Sequence, residues 1–243
     1  MRQNRPVALN KTISESDLSE AAVKRQATAL LRFGRGLLLR GQRYAVNGVS
    51  KPRWRVRWHK MWEYSRGLAH VPWQPDWNVI DFGGGATLPV YFLASRGLRV
   101  SSFDIDQALT AEAQSMAARH RWPLEATTRD LTRDPLRDDE TFDWAMSFCV
   151  LEHLPRELQL DIARQLGRCL RPGGYMTLTF DFGDKAPVGG ALRSEEDVRA
   201  LAEATGLQPI DGTLFVDTGE RFALDKKYPG ARFTFGSLFL QKR

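Results

Sequence analysis

Asp81, the glycines at 83, 84 and 85, and Asp104 are the residues whose types and spacing can do chemistry together. Consecutive glycines let a backbone turn tightly and let a ligand approach it with no Cβ in the way. The apolar pair Val79-Ile80 precedes Asp81, and a helix-compatible run from Leu88 to Ser95 follows the turn. Strand, glycine turn and helix, in that order, offer unpaired backbone N–H groups to an electron-rich ligand. Asp104 closes a second short strand, Val100–Asp104, and lies 21 residues after Gly83. An acidic side chain at about that distance meets the hydroxyl pair of a ribose in dinucleotide-binding units. The chemistry indicated is binding of a ribose-bearing cofactor: a nicotinamide, a flavin or S-adenosylmethionine.

The elements that must position these residues alternate along the chain. Asp106–His120 reads as a helix, and Leu124–Thr128 as a strand with Asp130 beyond it. Thr141–Val150 is a fourth strand, and Leu158–Leu170 is an amphipathic helix that Arg171-Pro172-Gly173-Gly174 should break. Tyr175–Phe182 is a fifth strand and Ser194–Thr205 a helix. Leu207–Val216 and Ala231–Gln241 complete the set. Alternating strands and helices predict an α/β, doubly wound, mostly parallel sheet. The last two strands have no helix between them, so a hairpin should make the last strand antiparallel.

Before this body, residues 1–74 read as a basic helical N-terminal extension, with residues 75–243 as the Rossmann-like domain. Residues 1–60 hold 14 Lys and Arg against 3 Asp and Glu, whereas the remainder holds 21 against 26. A basic extension suits phosphate, an anionic glycan, nucleic acid or an acidic membrane surface, or it is a solvated face. Residues 1–15 read as unstructured, and Asp17 with Glu20 reads as a capping box opening a helix that runs to about Leu39. Pro52–Leu68 fits a helix whose Trp54, Trp58 and Trp62 share one face. Trp58, Trp62 and Tyr64 are the candidate lid and substrate residues. Apolar stretches are too short to span a bilayer, and the first residues lack the apolar core of a secretory signal. Cys149 and Cys169 have no metal-ligand spacing. Together these point to a reduced, cytoplasmic protein.

The segments VIDFGGGAT, SSFDID, TTRDLT, FDWAMSFCVLEHL and LRPGGYMTLTF occur in this order at these distances. The ordered set resembles the class I S-adenosylmethionine-dependent methyltransferases, of the small-molecule type with a V-L-E-H-L segment. The resemblance implies a seven-stranded sheet with its last strand antiparallel. It implies that Asp81, Gly83, Gly84 and Gly85 line the methionine part of the cofactor, with Thr87 where many members have a further glycine. Asp104 would take the ribose hydroxyls and Ile105 would pack on the adenine. Asp130 would accept from the adenine amino group beside Leu131, and Ser147 and Phe148 would face the sulfonium. His153 is the candidate general base. One subgroup builds a metal site from a glutamate three residues before Glu152, with Glu152 and a histidine. Cys149 stands at that position here, so no metal is expected. The implied activity is methyl transfer by in-line displacement to oxygen or nitrogen of a small molecule or anionic glycan. Methylation of RNA through the basic extension and nicotinamide-dependent oxidoreduction are the alternatives; Leu88, standing where the full dinucleotide fingerprint wants a small residue, counts against the latter.

Overall fold

The computed structural model describes residues 9–137, 141–223 and 231–243. The chain opens with β1 (Lys11–Thr12), a 3-10 turn at Glu15–Ser19, α1 (Ala21–Leu39) and a hairpin of β2 (Tyr44–Val46) and β3 (Val49–Lys51). Then come α2 (Trp58–Ala69), β4 (Asn78–Phe82), α3 (Leu88–Ser95), β5 (Arg99–Asp104), α4 (Gln107–His120) and β6 (Leu124–Thr128). The second half is β7 (Phe142–Phe148), α5 (Arg156–Arg168), β8 (Leu170–Phe182), α6 (Glu195–Thr205), β9 (Gln208–Pro209) and β10 (Thr234–Gln241).

The main sheet runs β1-β10-β8-β7-β4-β5-β6, with β9 also on β10. Strands β6, β5, β4, β7 and β8 are parallel, and β10 is antiparallel to β8, as the hairpin argument required. Helices cover both faces, which is why β4 and β7 are buried on both sides and read as apolar runs. Alternate residues of β4 serve opposite cores. Val79 packs with Leu30, Leu93 and Ala113 from α1, α3 and α4. Ile80 packs with Ile162, Leu166 and Leu201 from α5 and α6. Local signals set the helix ends: Asp106 accepts from Ala108 and Leu109 N–H at the start of α4, and Ser194 with Asp197 forms a capping box on α6.

The N-terminal residues are woven into this body. Lys11 and Thr12 pair with Ser237 and Gly236 on the edge of β10. The fully buried Arg66 of α2 donates to the Leu9 carbonyl at 2.7 Å and to Ser237 Oγ at 3.3 Å. Trp62 Nε1 donates to Asp17 Oδ2 at 2.9 Å, and Lys11 Nζ reaches the other oxygen of the same carboxylate at 2.5 Å. Ala45 N–H bonds the Ala86 carbonyl, tying the β2–β3 hairpin to the turn after β4.

Several expectations need correction. Residues 9–15 are ordered, because the exposed edge of β10 supplies pairing partners for Lys11 and Thr12. The capping box lies three residues further N-terminal, at Ser14 and Asp17, and opens the 3-10 turn, while α1 starts behind Glu20 without a side-chain cap. The expected helix at Pro52–Leu68 begins only at Trp58, so Trp54 lies outside it and is 61% exposed. Arg171–Gly174 ends α5 but is absorbed into the start of β8, since Gly173 N–H bonds the Lys242 carbonyl. The expected strand Leu207–Val216 is only Gln208–Pro209; β1 takes the adjoining stretch of the β10 edge. Among the described residues no helix is long and apolar enough to cross a membrane.

Candidate active site

The turn after β4 is held from below. Asp81 is buried, and its Oδ2 accepts from Ser102 Oγ at 2.7 Å. Burial pushes the Asp81 carboxyl up to about 7; hydrogen bonds from Ser102 and the Gly84 backbone oppose the shift, and Asp104 adds to it. Gly83 sits at φ +77° and donates its N–H to the Phe103 carbonyl at 2.7 Å, which joins the turn to the end of β5. Asp104 at that end accepts from the Asp106 N–H at 2.9 Å. Burial raises its pKa, and the backbone N–H groups of Asp106 and Ile105 work against the shift.

One cavity of about 570 Å³ crosses the C-terminal ends of the parallel strands. Strand order sets the sequence of its walls. Asp104 and Ile105 follow β5, Gly83 and Gly84 follow β4, Phe148 and Cys149 end β7, Asp181 lies near the end of β8, and Phe235 begins β10. With neighbouring strands about 4.8 Å apart, Asp104 and Asp181 stand roughly 14 Å apart across the sheet. Ligands of open α/β sheets bind along this edge. His59, Lys60 and Tyr64 of α2, with Asn47 and Gly48 of the hairpin, add a wall from the N-terminal segment.

The half beyond β7 is polar, aromatic and enclosed. Lys60 Nζ bonds Glu63 Oε2 at 2.6 Å, and both side chains are buried. Burial disfavours the ammonium, but Glu63 beside it, by charge and by hydrogen bond, opposes that, and the Lys60 pKa stays above the ordinary lysine value. Cys149 takes φ +54° and donates its N–H to the Thr179 carbonyl at 2.9 Å. Burial and then Glu63 push its thiol pKa up, so the thiol keeps its proton. Cys149 Sγ and carboxyl oxygens of Glu152 and Asp181 lie within 4.8 Å of one another. Burial raises both carboxyls, and each is raised further by a neighbouring acid, Asp181 for Glu152 and Glu63 for Asp181.

Of the residues picked from the sequence, Gly83, Gly84, Asp104, Ile105, Phe148, Tyr64 and His153 line this cavity together. Burial and the Lys60 charge lower the His153 pKa, so its imidazole is neutral at neutral pH. The others lie elsewhere. Asp81 props the turn from beneath, and Ser147 Oγ is buried against the Phe82 carbonyl. Asp130 commits Oδ1 to the N–H and hydroxyl of Thr132, a turn-closing role, while Leu131 is buried in the core. Gly85 backs onto Asp104 and Leu109, outside the cavity wall. Trp62 is wholly buried away from the cavity, and Trp58 is 41% exposed, packed edge-on against Phe222. The expected inward row of tryptophans is therefore not formed: four-residue spacing put them on one face, but that face meets the 3-10 turn and Phe222. Cys149 and Asp181 stand beside Glu152, a grouping that the sequence, read as metal-free, did not announce. Sequence reasoning missed Lys60, Glu63 and Asp181. Asp181, an acid near the end of an apolar strand, repeats the signal that found Asp104.

Residues 79–174 match the family model described as a methyltransferase domain. Over those residues the chain is similar to a methyltransferase domain. No curated protein matches the chain. Similar solved structures include TehB from Haemophilus influenzae, at 17% identity and TM-score 0.55, over 69% of this chain and 58% of that one. The chain thus spans little more than half of TehB. The 4+2 cyclase SpnF matches at 14% identity and TM-score 0.59, over 91% of this chain and 96% of the other. The 1,6-didemethyltoxoflavin-N1-methyltransferase of Burkholderia thailandensis matches at 16% and 0.56, over 95% and 91%. At such identities the likeness establishes the fold, and a cyclase among them shows that the reaction must be argued from the site.

The residues present fit S-adenosylmethionine. An ionised carboxylate has about four acceptor positions, and the backbone occupies two on Asp104, leaving room for two ribose hydroxyls. The glycine turn leaves backbone exposed beside it, and Phe148 with Val150 carries the wall on toward Glu152.

Proposed function

We propose that this methyltransferase moves the methyl group of S-adenosylmethionine to oxygen or nitrogen of a small-molecule acceptor bound between α2 and the ends of β7, β8 and β10. The observation that carries this reading is that one cavity joins the Asp104 and glycine-turn half to an aromatic and polar half. The sulfonium supplies an activated methyl carbon; the chain's own residues hold the acceptor in line and keep water out. Tyr64 and Phe148, ring centroids 5.9 Å apart, wall the passage between the halves. His153, neutral and on the wall, is placed to take a proton from an acceptor that must lose one. We read the segment up to residue 74 as the closing wall of the acceptor half, since it contributes His59, Lys60 and Tyr64.

Of Arg53, Arg55 and Arg57, only Arg57 lines the cavity, and Arg53 donates to the Val46 and Val49 carbonyls. That weakens the case for an anionic glycan or a nucleic acid inside the site. Calorimetry with S-adenosylhomocysteine and with NAD tests the reading: the first binds and the second does not. Binding of NAD without S-adenosylhomocysteine would refute it.

A further inference from the structure

The acceptor half of the cavity holds more acid than base. Glu63 holds the Lys60 ammonium in a salt bridge, so Glu152 and Asp181 remain as a close pair of acids in no salt bridge with another described residue. Glu152 is 2% exposed and lines the cavity, yet its Oε2 has no hydrogen-bond partner among the described residues. A buried carboxylate oxygen without a donor is costly, and a ligand bearing N–H groups removes that cost. The walls make a second, separate observation. Phe233 and Phe235 border the same space with centroids 5.7 Å apart, and His59 stacks on Phe235 at 5.3 Å. Aromatic faces attract organic cations.

We infer that the methyl acceptor is an organic amine, held as its ammonium by Glu152 and Asp181 against the Phe233–Phe235 wall and methylated at nitrogen. This rests on the methyl-transfer reading above and names its substrate class. A metal ion suits the place less well. Aromatic rings offer it no ligands, and the Cys149 thiol keeps its proton.

The step balances. The ammonium gives one proton to the carboxylate pair and becomes a neutral amine. Its lone pair forms the N–C bond as the methyl C–S bond breaks, and that electron pair stays on sulfur as a neutral thioether. The product is an N-methylammonium, and the proton on the carboxyl pair passes to solvent.

The test uses the full chain, with and without saturating S-adenosylhomocysteine, and three probes of like shape: 2-phenylethylamine, 2-phenylethanol and 3-phenylpropionate. The amine is expected to bind at least tenfold more tightly than the alcohol or the acid. Glu152→Gln and Asp181→Asn should each erase most of that preference, with S-adenosylhomocysteine affinity and the far-ultraviolet dichroism kept. Should one variant fail to fold, the other reads the same effect. No preference for the amine, or a preference that survives in the folded variant, overturns the inference. So does stoichiometric zinc binding that Cys149→Ser abolishes and the amine cannot displace. Failure of S-adenosylhomocysteine to bind while the amine preference stands counts against the methyl-transfer reading alone.

Discussion

Asp81 occupies the space that a side chain at position 84 would need: a Cβ on Gly84 would lie 2.1 Å from Asp81 Oδ2. The acid beneath the turn and the bare backbone above it are one unit. Gly84→Ala must push the carboxylate away from Ser102, the partner that keeps it hydrogen-bonded in the core. Overpacking of this kind costs about 1–3 kcal/mol. Urea unfolding should show that loss, and calorimetry should show S-adenosylhomocysteine binding weakened beyond it. Unchanged binding would separate the turn from the cofactor site.

Asp104→Ala should weaken S-adenosylhomocysteine binding at least tenfold while the protein stays folded. Two charge-assisted hydrogen bonds, each worth about 1.5–3 kcal/mol, are removed. Asp130→Ala makes the contrast. Its carboxylate closes a turn on Thr132, so the expected loss is about 1 kcal/mol of stability, with an affinity change smaller than at Asp104. Equal effects at both positions would mean that the adenine end reaches Asp130 after all.

Glu152→Gln tests the buried acids through pH. Burial and Asp181 raise the Glu152 pKa well above the ordinary carboxyl range, with Glu63 adding to the shift and Lys60 opposing it. Between the unfolded value, about 4.3, and the raised folded one, the native chain holds a proton that the unfolded chain has released. Stability from this group is therefore full at low pH and is lost as pH rises through that window. Glutamine has no such proton. Thermal unfolding of the ligand-free proteins from acid to mildly alkaline pH should show the variant gaining on the parent as pH rises. A constant difference would remove Glu152 from the titrating set.

Trp62→Ala should act on stability. The indole is wholly buried and donates to Asp17, so its removal should cost about 3–5 kcal/mol. Tyr64→Ala, on the cavity wall, should instead lower turnover with S-adenosylhomocysteine affinity kept. Deleting residues 1–50 should leave no cooperative unfolding transition, since it removes β1, α1 and the Ala45–Ala86 hydrogen bond. A truncated chain that melts cooperatively would show that the body folds alone.

The parallel half of the fold was legible because β4 and β7 are buried on both faces and β4 and β5 run out at Gly83 and Asp104. Asp81, Gly83–Gly85 and Asp104 carry their meaning in local spacing. Other parts depended on distant partners. Lys11–Thr12 is a strand only because β10 has a free edge, and no local pattern in two residues announces that. Trp54, Trp58 and Trp62 matched a helical period, but the chain stays extended until Trp58, and Asp17 decides where Trp62 points. Lys60 and Glu63 have the spacing of an ordinary helix-surface pair at (i, i+3). Burial against β7 and β8 makes them part of the site.

β1 sits on β10, so the first ordered strand and the last hold the same sheet edge. On the ribosome Ser237 emerges long after Lys11, its partner in this pairing. Domains tend to fold from the N-terminus as chain appears, but here Lys11 and Thr12 have no partner edge until β10 has left the exit tunnel. Until then Phe233 and Phe235 are also missing from the cavity wall, so a nascent chain has no closed cavity. The closing event brings together stretches that synthesis keeps far apart.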